Sequence, residues 1–308
     1  MTTAVGPLGL PCLALENDVL SLAVTTTVGP RILSLRYRGG PNVFAELPDA
    51  TLDCPGVGPY HLRGGHRFWV APESAARTYL PDDAPPDIRR TDGGLVMQQP
   101  VDGSTGLQRC IRLRLERHGH ALVTVDHMLA NTGDDPVRVA PWAITQLPPG
   151  GFAVLPHPTA PGDPEGCQAN RCIALWTYTD VHHPDIAWGN GCSFVHARMR
   201  DGKLKVGFPN PIGWLGYHRG GTLFVKHAAY SREARYFDHG SSSQCYCDAR
   251  CLELETLGPA VDLAPGATST HREVWQVFAC PDLEPTESSV ARISEGLRLG
   301  QVSIELGA

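Results

Sequence analysis

The sequence has no excess of basic residues, because 26 lysines and arginines stand against 32 aspartates and glutamates. A formal net charge of −6 gives no electrostatic basis for binding nucleic acid. No window reaches 18 consecutive apolar residues, so a transmembrane helix is not expected. The first twenty residues have no basic segment ahead of their apolar ones, which argues against a secretory signal. We therefore predict a cytoplasmic protein that engages neither nucleic acid nor a membrane.

Helix signals are also scarce, and the sequence contains no repeat of fixed period and no linker-like segment. Glycine (33) and proline (27) are abundant, which favours turns over long helices. Short alternating segments follow one another with turns roughly every 8 to 12 residues. Only residues 287–299 have apolar side chains at helical spacing. The pattern predicts one all-β domain over residues 1–308, a large antiparallel β-sandwich with one C-terminal helix.

The ten cysteines lack the paired C-x2-C spacing that is typical of zinc sites. Cys245, Cys247 and Cys251 are the closest group, and three thiols within seven residues could hold a soft metal. The alternative is that they are reduced, small core residues of a strand. Because zinc sites usually show two clear ligand pairs, we predict no metal and no cofactor.

Residues 251–278 carry the clearest chemical signal. They alternate polar and apolar side chains, turn at Pro265-Gly266 and alternate again, which predicts two strands of a half-buried sheet. Glu253 and Glu255 then lie on one face of the first strand. Two carboxylates so close disfavour joint ionisation, so the pKa of one should rise where that face is partly dry. A raised pKa suits general acid–base catalysis, whereas a solvated strand face carrying two acids is the alternative.

A second cluster lies at residues 61–73, where arginines, histidines and aromatic residues surround a Gly-Gly pair. Glycine lets backbone approach a ligand, while arginine and tryptophan supply forked hydrogen bonds and a flat apolar face. A sugar has hydroxyl groups at its rim and C–H groups on its faces, so this combination suits a sugar. The candidate substrate-binding residues are Arg63, Arg67, Trp69 and Glu73. The alternative is a glycine bulge with Trp69 in the core and the arginines in solvent.

Several motifs, taken in order, resemble the galactose mutarotase-like superfamily of aldose 1-epimerases and hexose-6-phosphate 1-epimerases. The segments that carry the resemblance are residues 27–35 (TVGPRILSL), 63–65 (RGG), 254–256 (LET) and 261–266 (VDLAPG). The resemblance implies a supersandwich fold. It also implies that Glu255 is the base that takes the proton of the anomeric hydroxyl, and that Arg63 lies in the substrate cleft.

A closer resemblance is to an uncharacterised branch of that superfamily. The matching segments are residues 64–73, 131–147, 224–226 and 253–259. For this branch the resemblance implies the architecture and leaves the reaction open.

One position departs from the pattern of the epimerases. They carry a histidine that protonates the ring oxygen, and Trp142 stands at that position here, although an indole neither gives nor takes a proton at neutral pH. Mutarotation needs an acid and a base on opposite sides of the ring. His66 and Lys226 are the candidates for the missing acid. Trp142 would then stack against the sugar, and Glu253 would tune Glu255.

Three functions remain open, each with a small carbohydrate or glycoside as the partner. The first is an isomerase of the aldose 1-epimerase type with Glu255 as base. The second is a non-catalytic carbohydrate-binding or regulatory module that kept the cleft and lost the acid. The third is lyase or hydrolase chemistry by Glu253 and Glu255, ranked last because one strand face puts both on the same side of a ring. A metal-dependent version would need the three clustered cysteines at the cleft.

Overall fold

The structure, a computed structural model, describes residues 3–54, 56–116, 119–302 and 304, so the ends of the predicted 1–308 domain lie outside the described residues. Within them the chain forms 23 strands, one 3-10 turn (Pro7–Gly9), one short helical turn, α1 (Phe237–Gly240), and one longer helix, α2 (Glu287–Leu297). The strands are β1 (Ala4–Val5), β2 (Pro11–Glu16), β3 (Leu20–Thr25), β4 (Arg31–Tyr37), β5 (Glu46–Cys54), β6 (Gly58–Gly64), β7 (His66–Ala71), β8 (Asp87–Thr91), β9 (Gly94–Gln98), β10 (Leu107–Leu115), β11 (Leu122–Asn131), β12 (Val137–Leu147), β13 (Phe152–Pro156), β14 (Ala174–Leu175), β15 (Ile186–Ala187), β16 (Cys192–His196), β17 (Lys203–Phe208), β18 (Trp214–Arg219), β19 (Thr222–Ala228), β20 (Ser243–Asp248), β21 (Leu252–Leu257), β22 (Val261–Leu263) and β23 (Thr268–Ala279).

Two large antiparallel sheets form the body of the protein. The first has eleven strands in the order β1-β2-β3-β4-β7-β12-β21-β20-β17-β14, with β22 paired to β12. The second has ten strands in the order β15-β16-β13-β18-β19-β23-β11-β10-β9-β8, and β5 and β6 form a separate hairpin. The predicted antiparallel sandwich is confirmed, as is the C-terminal helix α2, which Thr286 caps by accepting the Ser289 N–H.

Apolar side chains from alternate positions of both sheets fill the space between them. On β21, Leu252 and Leu254 point into this core. Phe44, Phe224 and Trp275 pack edge-to-face in it, with ring centroids 5.6 to 5.9 Å apart. Each such pair adds about 0.5–1.5 kcal/mol to the stability that burial of its area provides.

Residues 251–278 form three strands instead of the two predicted, because the short β22 lies between β21 and β23, and β21 and β23 lie in different sheets. β21 pairs with β12 and β20, whereas β23 pairs with β19 and β11. β21 is buried on both faces, so the prediction of a half-buried strand is wrong for β21. The outer face is covered by side chains from neighbouring strands and from the β5–β6 hairpin, which the sequence pattern does not reveal.

Gly64 and Gly65 make a sharp turn that brings the β5–β6 hairpin over the outer face of the first sheet. Their φ angles are +85° and +72°, which favour glycine. A Cβ on Gly64 would lie 2.0 Å from the Ala45 carbonyl oxygen, and one on Gly65 would lie 2.3 Å from that of Ile32. The glycines therefore make room for neighbouring backbone rather than for a ligand.

None of the helices in the described ranges has the length and apolar character needed to cross a lipid bilayer.

Candidate functional site

A cleft of about 210 Å³ opens on the outer face of the eleven-stranded sheet. Alternate residues of β7, β12, β21, β20 and β17 form its floor, since the residues between them point into the core. The β5–β6 hairpin and the loop that carries Trp176 and Tyr178 form its walls. The lining residues are Leu52, Leu62, Arg67, Trp69, Glu73, Tyr79, Trp142, Gln146, Trp176, Tyr178, Lys203, Lys205, Tyr246, Arg250, Cys251 and Glu253.

The carboxylate of Glu255 is completely buried beneath this floor. Its Oε2 accepts hydrogen bonds from Trp142 Nε1 at 2.8 Å and from Lys205 Nζ at 2.9 Å, and its Oε1 has no partner among the described residues. Burial raises the pKa of Glu255 to about 7; the Lys205 ammonium opposes this rise and the Glu253 charge adds to it. At neutral pH this carboxyl group is poised to take up or release a proton.

Lys205 connects Glu255 to the cleft. Its Nζ lies 4.6 Å from the ring centroid of Trp142 and 4.8 Å from that of Trp176. Only 5% of its side chain is exposed, and it belongs to the lining of the cleft. Two indole faces and one carboxylate therefore fix the ammonium group in place.

A second charged pair lies beside it on the floor. Glu253 Oε1 accepts from Arg67 Nη2 at 2.9 Å and from Gln146 Nε2 at 2.8 Å, and the Arg67 guanidinium lies 4.2 Å from the Trp69 ring centroid. The Nε and Nη1 atoms of Arg67 and the Oε1 atom of Gln146 are buried without a partner in the described structure. An unpaired buried polar group costs about 1–3 kcal/mol, so these atoms favour a polar ligand that would satisfy them.

The structure brings five of the six predicted substrate-binding residues together in the cleft: Arg67, Trp69, Glu73, Trp142 and Glu253. Trp69 packs edge-to-face on Trp142 with centroids 5.4 Å apart, and Glu73 accepts a hydrogen bond from Tyr79 at the wall. Glu253 and Glu255 share one face of β21, as the sequence predicts. Both carboxylates therefore lie on one side of any ligand in the cleft.

Arg63 lies outside the cleft, which corrects the expectation drawn from the RGG motif. Its Nη1 donates to Asp82 Oδ1 at 3.0 Å, and its Nη2 donates to Asp83. On β6 the neighbouring Leu62 lines the cleft, so the alternation of the strand turns Arg63 away from it. Arg63 joins the buried ion pair of Arg31 and Asp82 instead.

His66 and Lys226 also lie away from the cleft, in the interior between the two sheets. His66 precedes Arg67 on β7 and faces the opposite side, where its Nε2 lies 2.7 Å from His127 Nε2. Lys226 Nζ lies 2.9 Å from Glu273 Oε1, and both side chains are fully buried. The backbone of the first sheet separates both residues from the cleft. The expectation that either one is the acid partner of Glu255 is corrected.

This interior network contains the one close group of three metal-type ligands in the described part of the chain: His66, His127 and Glu273, with ligand atoms within 4.8 Å of one another. His127 Nδ1 donates to the carbonyl oxygen of His271, so its Nε2 accepts from His66 Nε2–H. Burial lowers the pKa of both histidines and keeps them neutral. Lys226 already neutralises the charge of Glu273, and the histidines are hydrogen-bonded to each other and to backbone. The network therefore links the two sheets through polar contacts that need no metal ion.

The clustered cysteines do not meet on one side of the sheet. Cys245 and Cys247 pack in the core between the sheets, whereas Cys251 lines the cleft on the outer face. Alternation explains this separation: Cys245 and Cys247 share the inward face of β20, whereas Cys251 directly precedes β21 and has the parity of the outward-facing Glu253 and Glu255.

The sequence matches no family model and no curated protein. The structure is nevertheless similar to solved structures. A proposed aldose 1-epimerase of Klebsiella pneumoniae is 10% identical, with a TM-score of 0.61 over 97% of this chain and 85% of that chain. A proposed aldose 1-epimerase of Escherichia coli is 12% identical, with a TM-score of 0.55 over 87% and 99%.

A galactose mutarotase-like protein of Lactobacillus casei is 11% identical, with a TM-score of 0.56 over 87% of this chain and 100% of that chain. At such low identity the similarity establishes architecture alone. It agrees with the two large antiparallel sheets. The chain therefore has the galactose mutarotase-like fold.

Proposed function

We propose that the cleft binds a small sugar or sugar derivative and that Glu255 acts as the base toward its anomeric hydroxyl, in aldose 1-epimerase-like chemistry. One observation carries this proposal: a buried carboxyl group, its pKa raised to about 7 and one of its oxygens unpartnered, lies beneath a cleft of indoles and arginine. A base is most effective when its pKa lies near the working pH.

The lining of the cleft supports a sugar as the ligand. Trp176 is half-buried and Tyr178 is exposed, so their rings offer apolar surface for the C–H faces of a sugar, whereas Trp69 and Trp142 are buried and lie against Arg67 and Lys205. Arg67 and Gln146 offer buried donors and an acceptor for its hydroxyl groups. A volume of about 210 Å³ is below the roughly 300–1,000 Å³ of sites for drug-sized ligands and favours a single sugar ring.

A second candidate function is sugar binding without turnover. Glu255 has no exposed surface, because Trp142 and Lys205 lie between it and the cleft. Catalysis requires that the anomeric hydroxyl reach Glu255 Oε1 past these two side chains. If Trp142 and Lys205 keep these positions when a sugar binds, the protein is a binding module.

Exchange NMR between the α and β anomers of a panel of free sugars tests the first function. We expect the wild type to accelerate exchange and Glu255→Gln to lower the rate by about 10²–10⁴-fold, the usual contribution of one acid–base group. Glu295→Gln, on the exposed side of α2, is the matched control and should keep the wild-type rate. Equal exchange with and without the wild-type protein refutes the enzyme, and calorimetry with the same panel then decides between a binding module and no sugar site at all.

A further inference from the structure

Opening a sugar ring at C1 requires a proton donor for the ring oxygen, and the cleft must supply it. None of the described residues that line the cleft is a histidine. The guanidinium groups of Arg67 and Arg250 do not release a proton in proteins. Burial raises the pKa of Tyr79, Tyr178, Tyr246 and Cys251, which makes these groups poor acids, and Tyr79 and Tyr246 already donate to Glu73 and Asp248. The lysines are therefore the groups to consider.

The chain has only three lysines, while arginine supplies the other 23 of its 26 basic side chains. Lys226 pairs with Glu273 in the interior, away from the cleft. Lys203 is exposed and lies over the ring of Tyr178 at the cleft wall. Lys205 is buried at the floor and contacts Glu255 directly. Among the three, Lys205 alone joins the cleft to the proposed base.

We propose that Lys205 is the catalytic acid of this site, and that it gives a proton to the ring oxygen while Glu255 takes one from the anomeric hydroxyl. This inference rests on the function proposed above. Lys205 comes from β17, two strands from β21, so it replaces the epimerase acid from a different part of the fold. An amine suits this role better than a guanidinium, because its proton can leave when the group is desolvated.

The arrangement places acid and base on the same side of the sugar, which departs from the opposite-side arrangement expected from the epimerases. The hydroxyl oxygen O1 and the ring oxygen O5 are both bonded to C1, so one edge of the ring presents a proton to give and a lone pair to receive. Lys205 Nζ and Glu255 Oε2 lie 2.9 Å apart, so a donor and an acceptor stand side by side beneath the cleft. Once the anomeric hydroxyl passes Trp142 and reaches Glu255, one edge of the ring meets both groups at once.

The proton transfers balance without any other reactant. Glu255 takes the proton of O1–H, the C1–O1 bond becomes a carbonyl, the C1–O5 bond breaks and Lys205 protonates O5. The ion pair has then become a neutral amine and a carboxylic acid, and the open sugar carries no charge. After rotation about C1–C2 the amine takes back the O5–H proton, O5 attacks the other face of C1, and Glu255 protonates O1.

Burial favours this exchange. A charged pair loses hydration in a site closed by two indoles, whereas the neutral amine and carboxylic acid lose much less. The contacts of Lys205 with Trp142 and Trp176 hold its ammonium group beside the carboxylate before the sugar arrives. The side chain is therefore positioned in advance, which reduces the entropic cost of proton transfer.

Chemical rescue of Lys205→Ala tests the assignment. We expect this variant to lose about 10²–10⁴-fold in the rate of anomer exchange, while calorimetry shows sugar affinity within a few-fold of wild type. Added methylammonium should restore part of the rate, and should not do so in Glu255→Gln. Lys205→Arg keeps the charge and the contact with Glu255 but does not release a proton, so it should stay as slow as Lys205→Ala.

The outcomes separate the two proposals. If the wild type exchanges anomers and Lys205→Ala or Lys205→Arg does so equally fast, the assignment of Lys205 is overturned and the role of Glu255 stands. If the wild type exchanges no sugar of the panel, both proposals fail. Circular dichroism of each variant shows that it is folded, and Lys205→Arg decides the question if Lys205→Ala is not.

Discussion

Replacing Lys226 by methionine should destabilise the protein strongly and leave sugar binding intact. Lys226 and Glu273 form an ion pair at 2.9 Å with neither side chain exposed. Lys226 Nζ also donates to the carbonyl oxygens of Ala143 and Leu254, which belong to neighbouring strands of the other sheet. The variant would leave a buried carboxylate without its counter-charge and two carbonyl groups without this donor.

Removing one partner of a buried ion pair costs about 3–5 kcal/mol. Glu273 keeps its hydrogen bonds from Thr256 and Trp275, which favours the lower part of this range. The double variant Lys226→Met with Glu273→Gln removes both charges, so it should recover most of the loss. The two changes are therefore expected to be strongly non-additive.

Urea unfolding of the two single variants and the double variant measures this cycle. Lys203→Met is the matched control, because that lysine is exposed and its loss should change the free energy of unfolding by less than about 0.5 kcal/mol. A loss below about 1 kcal/mol in Lys226→Met, or additive losses in the double variant, contradicts the ion pair. Loss of sugar binding in a folded Lys226→Met variant contradicts its placement behind the sheet.

Three further predictions concern the cleft and the turn beside it. The folded-state pKa of Glu255 is raised from about 4.5 to about 7, so ionising Glu255 opposes folding. As pH rises from about 4.5 to about 7, the free energy of unfolding of the wild type should therefore fall relative to that of Glu255→Gln, by on the order of 3 kcal/mol. If the difference between their denaturation midpoints does not change with pH, this prediction is refuted. The rate of anomer exchange should change in the opposite direction and rise as pH increases through about 7, because Glu255 acts as a base only when it is ionised. Trp142→Phe removes a donor that lowers the pKa of Glu255, so the midpoint of the pH–rate profile should move to higher pH; an unchanged midpoint counts against the bond. Gly65→Ala should lose more stability in thermal unfolding than Gly39→Ala, since both have positive φ but only Gly65 approaches neighbouring backbone closely.

The period-two alternation of strands explains what the sequence predicts well. It places Glu253 and Glu255 on one face of β21 and Leu252 and Leu254 on the other, and the structure agrees. The same rule applied to β7 separates His66 from Arg67 and Trp69. Successive residues of a strand face opposite sides of the sheet, so His66 cannot share the cleft with Arg67 and Trp69.

The contribution of Lys205 could not be found in this way. Alternation shows which residues of one strand share a face, but it does not show which strands are neighbours. β17 reaches β21 through β20, and it is separated from β21 by more than forty residues of sequence. The sequence does offer one signal for Lys205, which is the scarcity of lysine. Arginine supplies 23 of the 26 basic side chains, so each of the three lysines is a candidate for a specific role. Two of the three form buried pairs with glutamate.

β21 stands between these two pairs, and their different surroundings explain why only one of them is suited to chemistry. On the inner face Glu273 accepts from Lys226, Thr256 and Trp275, and although burial raises its pKa, the Lys226 charge and the Thr256 hydrogen bond help to hold that pKa below the ordinary value. On the outer face Glu255 leaves one oxygen unpartnered, and burial outweighs its two donors and raises its pKa. A carboxylate with all its donors stabilises its charged form and stays a structural ion. A carboxylate at a cleft that lacks one of its donors keeps a high affinity for a proton, and the hydroxyl group of a ligand can supply that proton.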